Sequence, residues 1–359
     1  MPKIIGGILL LSIYSALTFY LGWGLRQWLV AMGWFRFPIF YWLVLYIIAF
    51  SIIISKLHES LRMFSIIHNY WMFIFEYGLM LCLAAHLIIW LSPFKNVQII
   101  GSVAVAMLFV LSIVGTYLAY SPVVRNLEIT MDKKSSELES MRIVVASDFH
   151  LGMLSNKKHL QRFVTLSNEA KPDVVFLAGD IVDDDPKWFV EEGMADVMKQ
   201  LTSTYGVYGV LGNHEYYGKK IPEFVKEMEN SNVKVLCDET IRIDNVLVLT
   251  GQEDITNKDR KQLDALKTTD DLPWFVMNHT PNDLSTPAKM GVDFHMSGHT
   301  HKGQLWPNQY ITARVFELDY GYKMKEKMHT LVSSGFGFWG PPMRIGSRSE
   351  LWVVDINFR

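Results

Sequence analysis

Cysteine is nearly missing from this sequence, and charge is nearly missing from its first third. Cys82 and Cys237 are the only two thiols in 359 residues, too few for a disulfide scaffold or a Cys-rich zinc site. Residues 1–120 carry eight charged side chains, Lys3, Arg26, Arg36, Lys56, Arg62 and Lys95 against Glu59 and Glu76. All the other charges lie beyond residue 120, so the chain joins an apolar segment to an ordinary globular one. Six against two leaves the first 120 residues at +4, and the overall net charge of −2 puts the remainder at −6. With no basic face to meet phosphate backbones, long nucleic acid is not an expected partner. The 50% hydrophobic content excludes disorder.

What fills the first third is hydrocarbon-compatible sequence. Four stretches, near Ile4–Leu25, Phe37–Ser55, Tyr70–Leu91 and Val97–Tyr120, each approach the roughly 20 helical residues that cross about 30 Å of bilayer core. The first has one lysine before it, a long apolar run and no Ala-x-Ala-like cleavage site, so it reads as an uncleaved span rather than a signal peptide. Trp23, Trp28, Trp34, Tyr41 and Trp42 crowd the first connection, where amphipathic rings suit the headgroup layer. Four spans would return the chain to its starting side. That side carries Lys3, Lys56, Arg62, Arg125, Lys133 and Lys134 against Arg26, Arg36 and Lys95 on the other. The excess of basic residues assigns both ends of the segment to the cytoplasm. Glu76, His68 and His86 fall in or beside the third span; each is a headgroup or proton site, or a neutral group hydrogen-bonded between helices. Without paired Gly/Pro interruptions of the transporter kind, membrane anchoring or lipid presentation is the expected role.

After Ser121–Pro122 the composition changes, through a charged stretch with an expected turn at Asp132–Ser136. This sets a transmembrane domain at 1–122 and a catalytic domain at 123–359. From there short apolar, β-branched runs end abruptly in polar residues. Arg142–Ser147 leads to Asp148-Phe149-His150, Asp173–Ala178 to Gly179-Asp180, and Gly206–Leu211 to Gly212-Asn213-His214-Glu215. Trp274–Met277 leads to Asn278-His279, and Val292–Ser297 to Gly298-His299-Thr300-His301. Five strands therefore deliver Asp, Asn and His to their C-terminal ends, the edge at which open α/β sheets assemble sites. Helical patterns at Lys157–Ala170 and Ile221–Asn230 alternate with them.

Asp148, His150, Asp180, Asn213, His279, His299 and His301 offer oxygen and imidazole donors without thiolate, a set suited to Mn²⁺, Fe²⁺ or Zn²⁺. Seven donors exceed the need of one ion with an open position. Two ions about 3.5–4 Å apart, sharing a bridging carboxylate, suit in-line attack on phosphorus. His58, His159, His295 and His329 lack such context and read as structural, and Asp184 and Asp185 read as a solvated loop.

In this order and after these strands, Asp-x-His, Gly-Asp-x-x-Asp, Gly-Asn-His-Glu, a solitary His and Gly-His-x-His resemble the calcineurin-like metallophosphoesterases, over about residues 125–359. The resemblance implies a four-layer α/β/β/α sandwich, here preceded by the all-α four-helix membrane segment, with a dinuclear site at the strand ends. It implies that Asp148, His150 and His301 hold one ion, that Asn213, His279 and His299 hold the other, and that Asp180 bridges. It further implies that His214, not itself a ligand, donates a proton or hydrogen bond to the leaving oxygen and that Asp183 orients His214. Gly298–Gln304, Ser333–Gly337, Pro342–Ile345 and Ser349-Glu350 resemble the membrane-associated bacterial branch, similar to the UDP-2,3-diacylglucosamine hydrolases. On that resemblance Lys302, where the branch often has glycine, meets a substrate phosphate or points to water. Arg344 clamps phosphate or pairs with Glu350. Trp306, Tyr310, Phe316, Tyr320, Tyr322, Phe336, Phe338 and Trp339 cluster after the last ligands as a rim for acyl chains or bilayer, or as packing beneath loops.

The expected protein is a membrane-bound, Mn²⁺-dependent dinuclear phosphoesterase facing the cytoplasmic leaflet, acting on a phosphodiester or pyrophosphate bond of a lipid-linked or nucleotide-lipid substrate. The alternatives are a tethered phosphodiesterase for soluble substrates such as cyclic nucleotides, and a non-catalytic metal-stabilised receptor or scaffold.

Overall fold

The computed structural model describes residues 2–132 and 138–359; beyond Asp132, the turn expected at Asp132–Ser136 lies outside them. The chain divides into two compact units, Met1–Thr116 with Gly340–Pro342, and Tyr117–Trp339 with Met343–Arg359.

The first unit is helical, with α1 Pro2–Ala31, α2 Pro38–Ala49, α3 Ser51–Ser55, α4 Met63–Leu91 and α5 Val97–Tyr120, the last running on into the second unit. Among the described residues three helices are long and apolar enough to cross a membrane: Ile4–Ala31, Glu59–Leu91 and Val97–Tyr120. The expected second span is a correction. Pro38 opens α2, and the helix breaks after 12 residues at Phe50, a length of about 18 Å at 1.5 Å per residue. At the break, Ser51 Oγ donates to the Ile48 carbonyl at 2.7 Å, a local bond that competes with the helical ladder. The end of α2 is nevertheless tied into the bundle: Tyr14 Oη donates to the Ala49 carbonyl at 2.7 Å and accepts from Trp71 Nε1 at 2.7 Å. Leu45, Ala49 and Trp71 form the buried cluster beside it.

The second unit holds two six-stranded sheets. In chain order the elements are β1 Val123–Met131, β2 Ser140–Ala146, α6 Lys157–Ala170, β3 Val174–Leu177, α7 Lys187–Glu191, α8 Ala195–Met198, β4 Val207–Val210, α9 Asn213–Gly218, α10 Ile221–Asn230, β5 Val233–Leu236, β6 Glu239–Ile243, β7 Leu247–Gln252, β8 Trp274–Asn278, α11 Ser285–Met290, β9 Phe294–Ser297, α12 Gln309–Val315, β10 Gly321–Lys325, β11 Met328–Val332 and β12 Glu350–Phe358. The strand orders are β1-β12-β2-β3-β4-β5 and β10-β11-β9-β8-β7-β6. β2 to β5 run parallel, as do β7, β8, β9 and β11. Central strands such as Val174–Leu177 and Trp274–Asn278 are buried throughout. That is why they read as unbroken apolar runs: a parallel strand covered on both faces has no solvent side to alternate with.

Ile143, Val145, Val174 and Phe176 of one sheet meet Leu247, Leu249, Phe275 and Met277 of the other in the inner core. On the far side of the first sheet, Leu160 and Phe163 of α6, Val197 and Met198 of α8, and Phe224 and Met228 of α10 form a second core. Ala288 of α11, with Leu263 and Leu266, covers the second sheet. The four layers expected from the family resemblance are therefore present. α6 starts where Asn156 Oδ1 accepts from the amides of Lys158 and His159, at 3.0 and 3.3 Å, an N-cap that fixes which face turns inward.

That face includes His159. Its Nε2 donates to the Phe336 carbonyl at 2.9 Å, and burial, partly offset by that carbonyl, pushes its pKa down to about 4. Between about pH 6.5 and 4 the unfolded chain takes up a proton here that the folded chain refuses, so stability present above pH 6.5 drains away on acidification. The loss from this group is expected to be on the order of 3 kcal/mol. Thermal unfolding of the detergent-solubilised chain at pH 7 and 4.5 should show a smaller acid decrease in His159→Gln than in the wild type.

Candidate metal centre at the strand ends

After β2, β3 and β9 the strand stops two or three residues short of its first ligand, and the backbone turns through the left-handed region. Asp148, His150, Asp180, His299 and His301 have φ of 52°, 44°, 50°, 72° and 49°, values non-glycine residues adopt at a cost. The cost is met by interlocking amides. Asp148 N donates to Gly179 O, His150 N to Asp180 O and Gly298 N to His279 O, all at 2.9–3.0 Å. Asn213 begins α9 after Leu211 and Gly212, the two residues that follow β4, and His279 directly follows β8.

All seven sequence-derived donors arrive in one place. Asp148, His150 and His301 form one cluster of ligand atoms within 4.8 Å, and Asp180, His279 and His299 form another. Asn213 Oδ1 joins the second at 2.7 Å from His299 Nδ1. Asp180 Oδ2 lies 3.7 Å from His150 Nε2 and 3.0 Å from His279 Nε2, touching both groups. His150 and His301 face each other Nε2 to Nε2 at 3.1 Å, with Asp148 Oδ1 3.4 Å from His301.

His214 stands beside the first cluster. Its amide donates to Asp180 Oδ1 at 2.9 Å, and its Nδ1 is 2.7 Å from Asp184 Oδ1 but 3.7 Å from Asp183 Oδ1. Asp184, expected to face only water, is thus the carboxylate in hydrogen-bonding contact, and Asp183 sits between His214 and His150 Nδ1, 3.8 Å away. The φ of 60° at Asp184 turns its side chain back to the imidazole. Burial opposes protonation of His214, but the Asp184 hydrogen bond with the carboxylates of Asp180 and Asp183 outweighs it and raises the pKa to about 9.

Arg344 corrects the substrate-clamp reading. It is fully buried, and its guanidinium donates to the carbonyls of Gly337 at 2.7 Å and Ser334 at 2.6 Å and to Ser347 Oγ at 3.1 Å. It also lies 3.2 Å from His301 Nδ1, so it buttresses a ligand ring instead of meeting substrate. The expected pairing with Glu350 is replaced by Arg125, whose Nε is 3.1 Å from the Glu350 carboxylate. Lys302 Nζ rests 4.4 Å from the Tyr320 ring centroid, a cation–π contact. Glu215 escaped the sequence reading. Its buried carboxylate accepts from the amides of Gly212, Asp180 and Val182 at 2.7, 3.2 and 3.1 Å, tying two strand ends together. The one available signal was its position two residues after Asn213, next to His214.

Residues 141–303 match the model of the calcineurin-like phosphoesterases, a stretch holding all seven donors. An uncharacterised metallophosphoesterase of Aquifex aeolicus is 31% identical over 226 residues, which cover 60% of this chain and 85% of that protein. The chain belongs to the calcineurin-like phosphoesterase family. A Bos taurus transmembrane protein with metallophosphoesterase domain is 29% identical over 282 residues, 73% of this chain and 63% of that one. An uncharacterised metallophosphoesterase of Campylobacter jejuni is 28% identical over 262 residues, 69% and 68% of the two chains. The chain thus spans about two thirds of the length of these two relatives.

The centre of this calcineurin-like phosphoesterase fits divalent cations on its own chemistry. His279 Nδ1 donates to the Ala178 carbonyl at 2.8 Å, which leaves Nε2 of the neutral ring an acceptor facing the Asp180 carboxylate. Two acceptors 3.0 Å apart require a cation or a proton between them. In keeping with this, burial works against charge on His279 but the Asp180 and Asp148 carboxylates pull its pKa well above the usual value. Burial pushes His150 down to about 3 and His299 to about 4, which favours neutral rings, each with one nitrogen lone pair to offer a cation. Burial also lifts the Asp148 carboxyl to about 6, a cost that a bound cation would remove.

Two substitutions test the support. A Cβ on Gly298 would lie 2.3 Å from both Asp148 Oδ2 and Ser147 Oγ, so Gly298→Ala should displace Asp148 and weaken metal binding about 10–100-fold, read by metal titration with helical circular dichroism unchanged. Arg344→Ala should destabilise the chain by about 3–5 kcal/mol by stranding its buried carbonyls. A raised KM with an unaltered Tm would instead restore the phosphate clamp.

Proposed function

We propose that residues 123–359 form a two-metal phosphoesterase that cleaves a phosphodiester or pyrophosphate bond in a lipid-linked or nucleotide-lipid substrate. The observation that carries this reading is the pair of donor clusters sharing Asp180, with His214 hydrogen-bonded to a carboxylate beside them. Asp148, His150 and His301 would hold one ion and Asn213, His279 and His299 the other, with Asp180 within reach of both; Mn²⁺ would suit the mixed oxygen and imidazole set. The ions, when bound, supply Lewis acidity and a more acidic water. The protein's own groups do the rest. His214 carries a proton toward the leaving oxygen, and Asp184 fixes which ring nitrogen faces the reaction.

A lipid-linked substrate is favoured over a soluble one by what surrounds His214. Tyr217 and Trp339, 57% and 56% exposed, set their rings 5.4 and 6.0 Å from the imidazole. Tyr310, Ile311 and Val315 of α12 and the preceding Trp306 are also exposed, in a chain with three membrane-length helices. A cytoplasmic placement of the catalytic unit rests on the six-to-three basic count and requires the short α2–α3 pair to traverse along with the three long helices.

The purified chain should hydrolyse bis(p-nitrophenyl) phosphate with Mn²⁺ and lose activity to a chelator. His214→Ala should lower kcat about 10²–10⁴-fold with metal content intact. Asp184→Asn should lower kcat by at least about tenfold while shifting the pH profile of kcat. Metal-replete protein without turnover on any diester, soluble or micellar, would leave the scaffold reading in place.

A further inference from the structure

The helical unit contains a cavity of about 320 Å³ at the end of the bundle where α4 and α5 are joined. Leu21 and Leu25 of α1, Ala85 and Ile89 of α4, and Ala104 and Leu108 of α5 are among its walls. α5 meets α1 at two adjacent turns. The Trp28 ring lies across Gly101, where a Cβ would come within 2.3 Å of it, and its Nε1 donates to Ser102 Oγ at 3.1 Å. One turn nearer the connection, Gln98 Nε2 donates to the Ala31 carbonyl at 2.6 Å. Trp28 and Gly101 themselves line the cavity.

Water has little to hold it there. The lining is overwhelmingly apolar, and His86 Nδ1 is already taken by Tyr20 Oη at 2.7 Å. A water needs two to four polar partners, and apolar cavities stay dry. An empty gap would forfeit the dispersion contacts of every residue around it. Apart from Leu45 of α2, its walls come from α1, α4 and α5, which have bilayer length, so the filler at hand is a lipid tail. At the same end, Arg26, Arg36 and Lys95 supply the charge, and there is no acidic residue in 21–37 or 78–108. Arg36 and Lys95 are exposed. Trp23, Trp34 and Trp90, 38%, 60% and 76% exposed, mark this as the headgroup level.

From these observations we infer that the helical unit is a binding site for one anionic glycerophospholipid, its acyl chain between α1, α4 and α5 and its phosphate among Arg26, Arg36 and Lys95. The site is independent of the metal centre. Three basic groups at a bilayer surface favour an anionic headgroup by about tenfold or more over a zwitterionic one.

The test is native mass spectrometry of the full chain, exchanged from bilayers of phosphatidylglycerol or phosphatidylcholine into mild detergent. One retained phosphatidylglycerol per chain, about tenfold preferred over phosphatidylcholine, is expected. Ala104→Leu should reduce retention and Ala104→Trp abolish it, with helical circular dichroism and diester hydrolysis unchanged. The pair Arg36→Gln and Lys95→Gln should erase the headgroup preference. No retained phospholipid, or Ala104→Leu and Ala104→Trp both retaining it like the wild type, would overturn the site. Equal retention of the two lipids by the wild type would overturn its anionic specificity.

Discussion

Seven side chains aim mostly acceptor atoms at one small volume, and their own chemistry gives them no reason to stay there. Imidazoles and carboxylates at 3.0–3.7 Å repel or compete for a single proton. The rest of the catalytic unit can be understood as the frame that enforces this convergence. Left-handed turns aim the ligands, glycines at 179, 212 and 298 let neighbouring loops close on them, and Glu215 binds two strand ends by their amides. Arg344 does the same for the loop behind His301. Free energy released by folding the sheets is thus invested in an unfavourable local arrangement, which is how a preorganised cation site is made.

The donors were legible in sequence because each follows a buried parallel strand, and such strands announce themselves as short β-branched runs. Ligand type and strand end together carry most of the information. What surrounds the donors was less legible. Arg344 looks like any cation in a loop until the fold seals it from water, and only then do its bonds to Gly337, Ser334 and Ser347 become obligatory. The choice between Asp183 and Asp184 turned on one backbone dihedral, which a run of three aspartates does not encode. The second apolar stretch failed for a similar reason: its hydropathy is continuous, while the break at Phe50 depends on Ser51 bonding back to Ile48.

The helical unit illustrates a different balance. Its contacts use small residues, Gly24 against Cys82, Gly78 against Leu21 and Gly101 against Trp28, as expected where close approach replaces the hydrophobic effect as the source of association. Side-chain bonds such as those of Tyr14 with Ala49 and Trp71, and of Tyr20 with His86, add local ties. Where neither kind of contact occurs, the chemistry of the surrounding solvent decides what the gap holds.

One feature of the first sheet bears on how the protein is made. β1 leaves the apolar segment almost at once, yet among the described residues its only partner in the sheet is β12, paired from Val123 with Glu350 to Met131 with Phe358. β12 is also wedged against β2. During synthesis, β1 and one side of β2 therefore emerge from the ribosome as open edges beside a membrane, with the strand that closes them still untranslated. Closure is a late, long-range event, so nascent chains have a prolonged interval in which a chaperone, or a neighbouring chain's edge, competes for the same backbone.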